Sequence, residues 1–206
     1  MESRNLTTKV KLMEYKGMED LRLYFPNIIQ DALFLDGVSA DIDLINCVLN
    51  DKLDCAEDCT SILNILHTKY ALQLVLSQVQ TNAYDLTFYH MSGLVMMLLP
   101  DEMSMGTHIP LKYANNLLEY GNTITKELNT IKSLEGKASP IEIANRLITL
   151  MCEKEWFVSA NTTIGYLMAL GYLLMKTSKY PRITHDGEEC AYDELHEKIQ
   201  SMNLFN

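Results

Sequence analysis

A short run of small and polar residues lies immediately before the most apolar stretch of the chain, 164–175. Backbone N–H groups at the start of a helix have no partner within that helix, and they attract an anion that can approach closely. Capping by the side chain of Asn161 or Thr162 would use the same N–H groups without a ligand, and it is the simpler interpretation. The run consists of Ser159, Ala160, Asn161, Thr162 and Thr163. It is therefore either a candidate anion site or an ordinary helix cap.

Two of the five cysteines, Cys55 and Cys59, are four residues apart, so one helical turn could bring two thiolates to a metal ion. No second Cys or His pair follows at zinc-site spacing, because His67 and His90 stand alone. We therefore interpret these thiols as incidental. The odd and scattered cysteines favour a reducing compartment over a disulfide framework. A Gly-rich phosphate loop and the common hydrolase and zinc-protease motifs are also absent from the sequence.

Apolar residues recur at helical spacing and predict an all-α, mainly helical protein with a single domain over 1–206. The strongest start signal is Ser139 followed by Pro140 and Glu142, which form a capping box with proline in the first turn. A loop over 153–161 then follows, and we expect Trp156 to anchor it in the core. The predicted helices cover 21–35, 42–49, 59–80, 85–99, 111–134, 140–152, 164–176 and 192–202.

Particular residues place several boundaries of these helices. Asp41 is the expected N-cap of the second helix, and Pro26 lies near a boundary or in a first turn. Gly121 interrupts 111–134, which therefore holds one or two helices, and the Tyr180–Pro181 pair ends the apolar helix. Turn residues favour a small β-hairpin flap over 101–110. The predicted apolar face of 59–80 consists of Ile62, Leu63, Leu66, Tyr70, Leu74 and Val75.

The composition excludes several classes of protein. The 206 residues include 17 Lys and Arg against 27 Asp and Glu, which gives a net charge of −10. Such a chain repels phosphate backbones and anionic lipid, so we expect neither nucleic acid nor a membrane as partner. Hydrophobic residues make up 48% of the chain, which excludes a disordered protein. The N-terminus lacks the apolar segment of a signal peptide, and no apolar run reaches the ~20 residues that span a bilayer, so a cytoplasmic protein is expected.

Five segments follow one another along the second half of the chain: 139–147, 155–163, 171–175, 180–183 and 192–196. In order and spacing they resemble the Fic/Doc (Fido) family, in which a helix precedes a signature loop, HxFx(D/E)GN(G/K)R, and further helices follow it. Upstream, 32–37 is similar to the family's inhibitory-helix motif, (S/T)xxxE(G/N), with Ala32 and Asp36 in its two defining places. The resemblance spans about 28–202. It implies a Fido-like helical bundle with an active-site-like loop at 153–163.

The signature positions that carry the family's chemistry differ in this chain. In the family, a His removes the proton from the target hydroxyl, an acidic residue binds Mg²⁺, and an Arg holds the nucleotide phosphates. Those places are taken here by Glu155, Ser159 and Thr163, whereas Phe157 and Asn161 match. A carboxylate with a pKa near ~4.3 is a weak base at neutral pH. Since phosphoryl-type transfer depends on positioning and charge stabilisation, the joint loss of metal ligand and Arg should cost many orders of magnitude in rate.

The resemblance therefore implies a pseudoenzyme that binds a protein partner or, through a residual pocket, an anion or nucleotide. Asp36 would have a regulatory place, although the Arg that it would restrain is missing. A first alternative is a transferase of AMP, or of a related nucleotide-derived group, to a protein hydroxyl. In that case Glu155 would be the base, 159–163 would hold phosphate, and ATP and Mg²⁺ would be required. A second alternative is an unrelated all-α interaction protein. Self-association through the methionine-rich segment 91–105 is compatible with all three of these functions.

Overall fold

The computed structural model describes residues 9–52, 59–100 and 117–184. This part of the chain folds into eight helices and one two-stranded antiparallel sheet, so the expected mainly helical fold is confirmed. The predicted flap over 101–110 and the predicted helix over 192–202 lie outside the described residues. The elements are β1 (Lys9–Glu14), α1 (Met18–Arg22), α2 (Phe25–Leu35), α3 (Ile42–Leu49), α4 (Cys59–Gln80), α5 (Phe88–Leu98), α6 (Leu117–Lys132), α7 (Pro140–Lys154), α8 (Asn161–Thr177) and β2 (Lys179–Thr184).

The small sheet is a feature that the sequence did not predict. Strand β2 begins two residues after α8 ends and pairs with β1 in a register that places Glu14 opposite Lys179 and Lys9 opposite Thr184. Pro181 lies within β2, opposite Leu12. A two-stranded sheet tolerates this proline because each strand has an unpaired edge that needs no N–H donor. The Tyr180–Pro181 pair therefore belongs to a strand and is not the point where the helix breaks.

The first predicted helix, 21–35, is in fact two helices. Pro26 lies in the first turn of α2, whose N-cap is Tyr24, and α1 ends at Arg22. A proline ring clashes with the carbonyl four residues earlier, here that of Arg22, so a continuous helix cannot pass through this point. By contrast, α3 and α4 have the predicted bounds. The carboxylate of Asp41 accepts the N–H of Asp43 at 3.1 Å, which confirms the predicted N-cap of α3.

The predicted apolar face of α4 is correct only in part: Val75 is buried, and Ile62, Leu66 and Leu74 pack against the core. Leu63 and Tyr70 are 45% and 49% exposed. Helix α4 packs against α2, α3, α5 and α8, so its apolar residues surround most of the helix and their spacing does not define one face. The residues of α4 that are fully buried are Ile65, Thr68, Ala71, Leu72, Val75 and Leu76.

Helix α6 runs unbroken through Gly121, so the expected interruption there is absent. A Cβ at this glycine would come within 3.1 Å of the ring of Phe88, which shows that the glycine permits close packing of α5 on α6. Helix α5 starts later than predicted because the hydroxyl of Thr87 accepts the N–H of His90 at 3.3 Å and caps it. Asp85 instead accepts a hydrogen bond from Lys132 at 2.6 Å, which ties the preceding loop to α6.

Helices α7 and α8 form the centre of the molecule. The capping box is present: the N–H of Glu142 donates to the Ser139 hydroxyl at 3.2 Å, and the N–H of Ser139 donates to the Glu142 carboxylate at 2.7 Å. Helix α8 is buried at every position from Thr162 to Leu174 and packs against α2, α4, α5, α7 and β2. Within the described residues, no helix is both long enough and apolar enough to cross a bilayer.

Replacing Ser139 by alanine should lower the free energy of unfolding by about 1 kcal/mol, because the first turn of α7 loses its cap. At this chain length the melting temperature should fall by about 2–4 °C, which thermal unfolding followed by circular dichroism would detect. Ser77→Ala is the matched control, since that hydroxyl is exposed within a helix and donates only to the Leu74 carbonyl. Equal effects at both sites would contradict the capping role.

Candidate functional site

The loop between α7 and α8 is short and internally held. Glu155 ends α7 with a left-handed backbone (φ 41°), and Ala160 precedes α8 with another (φ 57°). The Asn161 side chain closes the loop: it accepts the Phe157 N–H at 3.0 Å and donates to the Phe157 carbonyl at 2.8 Å. Trp156 is buried, as expected of an anchor. Both polar atoms of the Asn161 side chain are therefore used to shape the loop.

The start of α8 is capped by a residue that is distant in sequence. The backbone N–H groups of Thr162 and Thr163 donate to the two carboxylate oxygens of Asp36, at 3.2 and 3.1 Å. The Thr163 hydroxyl donates to the carbonyl of Ala32 at 2.7 Å. No side chain of the loop caps the helix, so the expected cap by Asn161 or Thr162 is wrong. The anion at this helix start is supplied by the end of α2.

A cleft of about 360 Å³ opens in front of this contact. Asp36, Glu155 and the whole of 159–163 line it, so the structure brings together every candidate site residue taken from the sequence. The opposite wall is formed by α4 and by the end of α5. Sequence reasoning did not assign these wall residues to a site; they include Asn64, His67, Thr68, Leu98 and Leu99. On α4, His67 and Thr68 lie three and four positions after Asn64, so their spacing could have indicated that they lie on the same side of the helix.

The charges around the cleft are acidic. Asp36 and Glu155 contribute carboxylates, and among the residues that the structure describes no Lys or Arg lines the cleft; His67 is its only basic side chain. Burial raises the pKa of Asp36 above its ordinary value of 3.8, although hydrogen bonds from Thr163 and Thr162 oppose this. A second anion entering the cleft would meet both carboxylates, and among the described residues no Lys or Arg of the lining would offset them.

Cys152 lines the cleft beside this contact, and its thiol is not activated. Its sulfur lies 3.5 Å from the Thr162 hydroxyl. Burial, together with the nearby carboxylates of Asp36, Glu153 and Glu155, raises the pKa of the thiol to about 11, although the hydrogen bond with Thr162 opposes this. The thiol is therefore protonated near neutral pH, whereas a nucleophilic cysteine needs the thiolate.

Among the described residues, the cleft offers Mg²⁺–ATP only one carboxylate besides Asp36, that of Glu155. Mg²⁺ in nucleotide sites uses one or two carboxylates together with phosphate oxygens. Both oxygens of Asp36 already accept backbone N–H groups, and the side chain at 159 is a neutral hydroxyl. Among the described residues, no three His, Cys, Asp or Glu side chains form a group that could hold a metal ion. The predicted Cys55–Cys59 pair falls partly outside the described residues, and Cys59 is exposed.

Two segments that were separate in the sequence are thus in direct contact. Residues 32–36, similar to the inhibitory-helix motif, meet 155–163, similar to the signature loop, through three hydrogen bonds. Comparison of the chain with family models, with curated proteins and with solved structures found no match. The resemblance to the Fic/Doc family accordingly rests on the sequence motifs alone and stays a prediction.

Proposed function

We propose that this protein is a Fic/Doc-like pseudoenzyme that acts by binding a protein partner and transfers no AMP. One observation carries the proposal: the Asp36 carboxylate occupies the start of α8, where the backbone N–H groups of Thr162 and Thr163 would otherwise be available to phosphate. The carboxylate is held by the fold itself. A nucleotide would have to displace it before its phosphates could reach those donors.

The charge balance of the cleft supports the same function. Transfer of a phosphorus group at the start of α8 would need the backbone donors and a nearby cation, because such a transfer is accelerated mainly by stabilisation of charge. The donors are engaged, and within the described residues the lining holds no Lys or Arg. The hydroxyl of Thr163, in the place of the family's Arg, is committed to the carbonyl of Ala32.

The surface near the cleft is suited to a protein contact. Val158, at the centre of the loop, is 43% exposed and lines the cleft. Val158 projects from a loop that Trp156 anchors and Asn161 closes, so binding would order little further chain. In the methionine-rich segment, Met91 is buried whereas Met96 and Met97 are 51% and 39% exposed. Self-association through that part of α5 remains part of this proposal.

The proposed function predicts that ATP does not bind at millimolar concentration, with or without Mg²⁺. Isothermal titration calorimetry of the purified protein with ATP is the measurement, and Glu155→Ala is the matched variant. Heat that increases with Mg²⁺ and decreases in Glu155→Ala would contradict the proposal. That result would favour the transferase, in which Glu155 acts as the base.

One observation favours the alternative function, an AMP transferase. Glu155, the candidate base, lines the same cleft as Asp36, the carboxylate that occupies the start of α8. If Asp36 only restrains an otherwise competent site, Asp36→Ala should vacate the start of α8 and leave the N–H groups of Thr162 and Thr163 free for phosphate. Incubation of this variant with Mg²⁺–ATP and a cell lysate, followed by mass spectrometry for proteins carrying one AMP, tests this directly. Modified proteins that depend on both Asp36→Ala and an intact Glu155 would establish the transferase; an unmodified proteome would support the pseudoenzyme.

A further inference from the structure

A second cavity, separate from the cleft, lies between the start of α2, the end of α3 and the second half of α4. This groove has a volume of about 570 Å³ and shares no lining residue with the cleft. Its wall on α4 runs from Lys69 through Gln73 and Leu76 to Gln80, positions that follow one side of the helix. The facing wall includes Asn46 and Leu49 of α3 and the α1–α2 junction.

The groove is basic in a chain whose net charge is −10. Arg22 and Lys69 line it, and none of the described residues that line it is a carboxylate. Lys69 is half-buried and makes no ion pair with the described residues, whereas Arg22 pairs with Glu19 at 3.1 Å on the surface, where both side chains are largely exposed. An exposed pair of this kind contributes only about 0.3–0.5 kcal/mol and exchanges readily. The two cations are therefore available to an acidic partner.

The end of α3 does not cancel this charge. The last carbonyls of a helix carry partial negative charge when they lack partners. Here the carbonyl of Asn46 accepts the Asn50 N–H, that of Cys47 accepts the Lys52 N–H, and that of Val48 accepts the Asp51 N–H. The groove consequently faces carbonyls that are already hydrogen-bonded.

Unused amide groups alternate with apolar surface along the groove. The side chains of Asn46, Gln73 and Gln80 make no hydrogen bond to any described residue, and each amide can both donate and accept. A peptide backbone in extended conformation needs the same combination of donors and acceptors. Between the amides, Leu76 is buried and Leu49 is half-buried, and Leu23 at the rim is 74% exposed. Such an exposed leucine beside a concave surface indicates a place where another apolar side chain packs.

We propose that this groove binds an extended, acidic segment of a partner protein, in which carboxylates alternate with apolar side chains. The carboxylates pair with Lys69 and Arg22, the apolar side chains pack on the leucines, and the amides hold the backbone. From Lys69 to Gln80 the wall is about 16 Å long at the helical rise of 1.5 Å per residue. That length accommodates about five residues of extended chain.

Fluorescence anisotropy with short labelled peptides tests this proposal on the full chain. The probe is a fluorescein-labelled peptide of about seven residues that alternates leucine and aspartate, and the matched probe replaces each aspartate by lysine. We expect saturable binding of the acidic peptide alone. Lys69→Glu should weaken that binding by about tenfold or more, because it places a carboxylate where the peptide's carboxylate must lie.

Two further variants make the result decisive. Gln73→Glu adds one negative charge to the middle of the groove with almost no change in shape, and it should also weaken binding. Lys126→Glu makes the same change of charge as Lys69→Glu on an exposed part of α6, outside the groove, and should leave binding unchanged. Circular dichroism establishes that each variant is folded. The proposal is overturned if neither peptide binds, if the lysine peptide binds equally well, or if Lys126→Glu weakens binding as much as Lys69→Glu.

Discussion

Replacing Gly171 by alanine should lower the free energy of unfolding by about 2–3 kcal/mol, although it adds only one methyl group. Gly171 lies in the buried part of α8, and a Cβ there would come within 3.0 Å of three ring atoms of Tyr84. Tyr84 cannot easily move away, because its ring is buried and its hydroxyl donates to the carbonyl of Met168 on the same helix. Overpacking of this kind costs about 3 kcal/mol, and the better helix propensity of alanine offsets about 1 kcal/mol at most.

Urea unfolding measured by circular dichroism gives the change, and Gly93→Ala is the matched control. A Cβ at Gly93 would lie 3.1 Å from the terminal Cδ2 of Leu74, which can adjust its rotamer. This substitution on α5 should therefore raise stability by about 0.5–1 kcal/mol or leave it unchanged. If alanine proved equally tolerated at both positions, Tyr84 would not be fixed against α8 in the way the structure indicates.

Local sequence signals predicted those parts of the fold that depend on neighbouring residues. The cap at Asp41 and the capping box at Ser139 are formed within four residues, so the pattern that predicts them contains all the atoms involved. The bounds of α3 and α4 were correct for the same reason. The buried side of α4 was predicted only in part, because it depends on which helices surround α4, and apolar spacing does not carry that information once a helix is enclosed.

The candidate site could be predicted only in part. The resemblance to the Fic/Doc family pointed to Asp36, Glu155 and 159–163, and these residues do line one cleft. The hydrogen bond from the Thr162 N–H to Asp36 joins residues 126 positions apart, which no local pattern could specify. Strand β2 was missed for a similar reason, since its partner β1 lies at the other end of the described chain. Contacts between residues distant in sequence therefore determine both the pairing of the two strands and the occupation of the start of α8 by Asp36.

Replacing Asp36 by alanine should lower the free energy of unfolding by about 2 kcal/mol, because the N–H groups of Thr162 and Thr163 lose their acceptors at the start of a buried helix. The same substitution vacates an anion site. Inorganic phosphate at tens of millimolar should then restore part of the lost stability in Asp36→Ala and have no such effect on the wild type, since a ligand that binds only the folded state stabilises that state. Thermal unfolding in phosphate and in a zwitterionic buffer of equal ionic strength gives the comparison.

The pH dependence of the free energy of unfolding separates the effect of the charge of Asp36 from the effect of its shape. Because burial raises the pKa of Asp36 above 3.8 in the folded protein, folding favours the protonated carboxyl. Relative to Asp36→Asn, which cannot ionise, the wild type should be most stable below about pH 4 and should lose that advantage as the pH rises through the folded-state pKa. Urea unfolding of both proteins between about pH 4 and 7 measures the difference. The opposite result would be a wild type whose stability advantage over Asp36→Asn grows with pH. It would mean that α8 stabilises the ionised carboxylate more than burial destabilises it, and that the start of α8 has a strong preference for an anion.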